Sequence, residues 1–203
     1  MSPAFAILRP MSRLKRSHLK LARSFKFSNS HSLHKYQTPK EALDWYIPWL
    51  KERRKLVVKS TKHHRLSKAT TTYYKEIRLG NGWPEKGDEE KAYLLVRETV
   101  HVKHWAHYKR LGFATKYILF ARFRWAIEVH CCREGIMWGV VVLKARGHSD
   151  GKVREILEAK IVGAIKSLLG KTYALGSIRE SDIKEHTRKI LEEGIEWQLR
   201  KLS

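Results

Sequence analysis

Leu94-Leu-Val-Arg97-Glu98-Thr-Val-His101-Val-Lys-His104-Trp105 is the stretch on which the fold of this chain turns. It contains Arg97-Glu98-Thr-Val-His101, one residue short of His-Glu-x-x-His. In that spacing two His share one helix face and hold Zn²⁺, while the Glu acts as general base on the metal-bound water. Here Glu98 and His101 stand at the base and second-ligand positions, and Arg97 stands at the first. A guanidinium keeps its proton at neutral pH and has no lone pair to offer a metal. On a helix Arg97, His101, His104 and Tyr108 fall on one stripe.

The flanking sequence supplies the helix that this stripe needs. Asp88 is placed to cap it, Glu89 and Glu90 suit its first turn, and Lys109 and Arg110 suit its last. Gly112 reads as its stop. Ala92, Leu95, Val96, Thr99, Val102 and Ala106 make it apolar around much of its circumference, as expected of a central helix. Upstream, Thr70 to Leu79 alternates β-branched, aromatic and charged residues and reads as one strand. Gly80-Asn-Gly-Trp-Pro84 ends it in a loop. Thr38-Pro-Lys-Glu41 is a helix start, with Thr38 as cap and Glu41 closing a capping box. Downstream, an apolar helix is expected over Thr115 to Arg146 with a break near its middle. A helix capped by Ser149 or Asp150 should run to about Leu169 and stop at Gly170. A last helix should open on the Ser177-Ile-Arg-Glu180 capping box.

At 203 residues and 42% apolar content, the chain is long enough for one domain with a real core. Its formal charge of +22 comes from 42 basic against 20 acidic residues. That excess favours a polyanionic partner, with nucleic acid or a nucleoprotein assembly as the leading form. No acidic residue precedes Glu41. The first 37 residues therefore read as a basic arm, and residues 38–203 as the folded domain. Rich in Arg, Lys and Ser, the arm fits three descriptions: a mitochondrial transit peptide, a segment lying on nucleic acid, or a solvated tail. Arg13, Lys15, Arg16, Arg53, Arg54, Lys55, Lys62 and Arg65 are the candidate polyanion contacts. Cys131 and Cys132 are adjacent and form no disulfide framework, which suits an intracellular, reducing compartment, with the mitochondrial matrix implied if the arm is a transit peptide. No apolar run approaches membrane-spanning length.

The order of a strand, a Gly-Trp-Pro loop, a helix reading Leu-Leu-Val-Arg-Glu-Thr-Val-His-Val-Lys-His-Trp and a later Glu-bearing helix resembles the minimal zinc metallopeptidases. The likeness covers about Thr70 to Gly147. It implies an α+β, mainly α-helical fold, with a zincin-like core in which a short sheet packs on the motif helix. Carried over by position, Glu98 matches the catalytic base, His101 the second ligand and Glu128 the third. Arg97 departs from the pattern, and three explanations stand. Arg97 pairs with Glu128 where the ion would sit. The likeness is accidental, and Arg97 and Glu98 are ordinary surface charges. Or Zn²⁺ is held by substitutes drawn from His101, His104, Glu128, His130 or a Cys. The first implies a non-peptidase without cofactor that binds a polyanion. The last implies a metal-dependent peptidase with Glu98 as base.

Overall fold

A computed structural model describes residues 14–23, 38–41, 43–44, 48, 59–60, 71–73, 76–79, 82–108, 110–170 and 173–203. Helix α1 (Arg16–Arg23) is followed by strands β1 (Lys59–Ser60), β2 (Thr71–Tyr73) and β3 (Glu76–Leu79). Helices α2 (Asp88–Tyr108), α3 (Arg110–Leu119), α4 (Ala121–Ala145), α5 (Asp150–Leu169) and α6 (Glu180–Leu202) complete the order.

The expectation of an α+β fold built on a zincin-like sheet is overturned. The described residues are mostly helical, and the main core is helix packed on helix. The strands have only two, three and four residues, too few to make a layer against which helices could be organised. They order as β1-β3-β2, with β1 parallel and β2 antiparallel to β3. The stretch expected as one strand is therefore two short strands paired with each other, Thr72 opposite Ile77.

α4 is the axis of the molecule. Its sequence is apolar on every side, and it buries residues from Phe123 to Leu143 around its whole circumference. The largest core joins its Trp125, Val129, Ile136 and Val140 to Val153, Leu157 and Ile161 of α5 and to Ile183, Ile190, Leu191 and Ile195 of α6. Trp125 donates its indole N–H to Thr187 at 3.1 Å, so the one polar atom of that ring is satisfied inside the core. A second cluster joins α2, through Ala92, Leu95, Val96 and Val102, to Ile77, Leu79 and α4's Trp138 and Val142. A third packs Val100, Phe113, Phe123, Ile127 and Cys131. Part of the basic arm belongs to this body. α1 buries Ala22 against the main core, and Arg23 makes an ion pair with Glu193 at 2.7 Å.

Local chemistry sets the helix ends. Ser149 caps α5 by accepting from the Lys152 N–H at 3.3 Å, and Gly170 ends it. Thr38 accepts from the Glu41 N–H at 3.2 Å. Gly147, at φ +81°, closes α4 in the left-handed conformation glycine adopts without cost. Some expected signals fail. Gly112 lies inside α3 and stops nothing; α6 begins at Glu180 with Arg179 as its cap residue, not Ser177. Among the described residues no helix is long and apolar enough to cross a membrane.

Candidate functional site

α2 lies along α4 so that Arg97 and His101, one turn apart, face Glu128. Arg97 Nη2 is 3.6 Å from Glu128 Oε2, and His101 Nε2 is 3.4 Å from Oε1. The Tyr117 hydroxyl of α3 donates to Oε1 as well. Glu128 is only 2% exposed. Burial alone would raise its carboxyl, but His101, Arg97 and the Tyr117 hydroxyl bring it down to about 2. Burial works against a charged His101, yet Cys131 and Glu128 raise its imidazole well above the ordinary value. The cluster at neutral pH is a carboxylate between a guanidinium and an imidazolium.

Arg97 and Glu128, expected as a metal-replacing pair, thus come together, and His101 joins them. His104 goes elsewhere. Its Nε2 lies 3.0 Å from His130 Nδ1, and His130 Nε2 is 3.6 Å from Glu134. Burial, joined by the neighbouring His130 and His101, drives His104 down to about 2, so it is neutral. Glu98 is 8% exposed and lies about 100° round the helix from Arg97. By helical spacing it shares the side of Leu95 and Val102, which pack toward the strands. Burial pushes the Cys131 thiol up to about 11 and raises Cys132 too, so neither is a ready thiolate. Among the described residues no three of His, Cys, Asp and Glu converge in a way that could hold a metal ion.

The polyanion set divides. Arg13, Arg53, Arg54, Lys55, Lys62 and Arg65 lie outside the described residues. Arg16 is exposed on α1. Lys15, just before α1, lines a groove of about 560 Å³ with His18, Lys116, Leu119, Phe120, Arg122 and Ser177. Among the described lining residues none is acidic. Phe120 is 57% exposed and Leu119 66% exposed at the break between α3 and α4. Burial, and after it the charges of Arg122 and Lys15, lower the pKa of His18. Sequence reading missed Lys116, Phe120 and Arg122. Their signal was an apolar run, Ile118-Leu-Phe120, bracketed by cations at a helix break.

Comparison with protein-family models, with curated proteins and with solved structures finds no match for this chain.

Proposed function

We propose that this chain is a non-peptidase nucleic-acid-binding protein, with the groove of Lys15, His18, Lys116 and Arg122 around exposed Phe120 as its contact surface. The groove is the observation that carries the reading. Cations spaced along a trough suit a phosphate backbone, and an exposed aromatic ring beside them offers a base a stacking platform. The +22 charge supplies the long-range attraction. The Arg97–Glu128–His101 cluster supports the non-peptidase half. It places a permanent cation against the carboxylate that a metal would need, and Glu98 is turned to another side of α2. Arg97 at the first-ligand position and Glu128 at the third support descent from a metal site whose charge a guanidinium has taken over. A rebuilt peptidase remains the alternative reading, and measured zinc content separates it from this one.

The test is binding of single-stranded RNA and DNA oligonucleotides over a salt series. Affinity should fall steeply and linearly in log–log form as salt rises. Charge reversal at Lys116 and Arg122 together should flatten the slope and weaken binding, while Phe120→Ala should weaken binding and leave the slope unchanged. Salt-independent binding, or no binding at low salt, defeats the proposal. Stoichiometric zinc in protein purified without chelator defeats its non-peptidase half.

A further inference from the structure

A second cavity, of about 210 Å³, opens between α2, α4, α5 and Tyr173. Its walls carry Tyr93, Arg97, Cys132, Lys160, Ser167 and Tyr173. The Arg97 Cζ lies 6.0 Å from the centroid of the Tyr93 ring, and Lys160 Nζ lies 5.3 Å from it, so two cations flank one aromatic wall. Arg97 is shared between Glu128 and the Tyr173 hydroxyl, to which it hydrogen-bonds, and still has donor capacity left. Its one ion-pair contact, at 3.6 Å, is beyond a proper hydrogen bond, and its Nε is buried with no hydrogen-bond partner among the described residues. The described residues that line the cavity include the cations Arg97 and Lys160 and no acidic side chain. The backbone at Tyr173, a lining residue, is anchored by Arg124. Arg124 donates from Nε to the Tyr173 carbonyl at 2.6 Å and from Nη2 to the Ala174 carbonyl at 3.0 Å.

We infer that this cavity binds a small dianionic oxyanion, of which inorganic phosphate is the simplest. Arg97 is the planar donor, Lys160 the second charge at the mouth, and Ser167 with the Tyr173 hydroxyl the neutral donors. At about 210 Å³ the cavity holds such an anion with room for water beside it, and it is smaller than the groove of about 560 Å³ at Lys15. The inference stands independently of nucleic-acid binding, because none of the residues lining this cavity lines that groove.

The experiment is calorimetric titration of the full chain with inorganic phosphate at fixed ionic strength, with acetate as a second arm. Phosphate should bind saturably at one site, and acetate more weakly. Lys160→Ala, at an exposed position, should leave the circular dichroism spectrum unchanged and weaken phosphate at least about tenfold, the loss of one charge-assisted contact. A Lys15→Ala, Lys116→Ala double variant should bind phosphate as the parent does. No saturable phosphate binding in the low-millimolar range overturns the inference, as does parental affinity in Lys160→Ala. Equal affinity for acetate overturns the dianion assignment. Loss of binding only in the double variant moves phosphate to the groove and overturns the cavity, without touching the nucleic-acid reading.

Discussion

Glu128 is a buried anion whose charge is tolerated only because Arg97, His101 and Tyr117 surround it. Removing it strands a guanidinium in the interior. Glu128→Leu should therefore destabilise the chain by about 3–5 kcal/mol. Because both partners of a buried pair can be replaced more cheaply than one, adding Arg97→Met should recover part of that loss. A denaturant double-mutant cycle showing strict additivity contradicts the pair. The pH dependence follows from the same groups. Glu128 has a folded pKa depressed to about 2 from 4.5, so its stabilisation is present above 4.5 and is lost as pH falls through that window. His104 is depressed from 6.5 to about 2, so the unfolded chain takes up a proton that the folded chain refuses; stability falls as pH drops below 6.5. His101 is raised, so its contribution is full below 6.5 and is lost as pH climbs through its folded pKa. In His104→Gln the slope of unfolding free energy against pH between 6 and 5 should be shallower by up to about 1.4 kcal/mol per pH unit. An unchanged slope would mean that His104 is not held neutral.

The contact of α2 with α4 depends on a missing side chain. A Cβ at Gly135 would lie 2.6 Å from Tyr93 Cε2, so the two helices approach closely only because residue 135 is glycine. Gly135→Ala gains about 1 kcal/mol of helix propensity but overpacks a buried ring at a cost of about 1–3 kcal/mol. The expected outcome is net destabilisation in thermal melts, together with weaker phosphate binding as Tyr93 shifts. A stabilised Gly135→Ala chain refutes the close approach. Much of this level was legible in sequence. Ser149 and Gly170 mark true helix ends because each acts locally, through a cap and a stop, whereas Asp88, expected as a cap, is the first residue of α2 itself. The break of the long apolar stretch falls at Phe120, near its start and not near its middle as expected, because Ala121 to Ala145 runs as one unbroken helix. Gly112 misled because a glycine ends a helix only where the chain after it leaves the helical conformation, and the chain at Gly112 continues as α3. Arg97 facing Glu128 was within reach of sequence reasoning because helical spacing orients Arg97 and His101 together. The oxyanion cavity was not. Tyr93, Lys160 and Tyr173 come from separate segments and meet only through tertiary packing.

At the scale of the whole molecule the +22 charge has two consequences of opposite sign. Like charges on a compact body repel, so the folded chain is strained by its own field in dilute buffer. Salt shortens the reach of that repulsion from about 30 Å at 0.01 M to about 8 Å at 0.15 M. The melting temperature should accordingly rise over this range. Exposed ion pairs such as Arg154–Glu196 and Arg188–Glu158 weaken with salt, but such pairs contribute little in water and do not reverse the trend. Binding to nucleic acid should move the other way, since each phosphate neutralised releases a counterion and added salt opposes that release. Thermal melts and oligonucleotide titrations on the same salt series therefore give opposed slopes if the excess charge serves a polyanion. Saturating oligonucleotide at low salt should raise the melting temperature, because a ligand that favours the folded state stabilises it by mass action. A melting temperature unmoved by oligonucleotide but raised by salt separates the two effects. In that case the charge repels within the chain and finds no nucleic-acid partner.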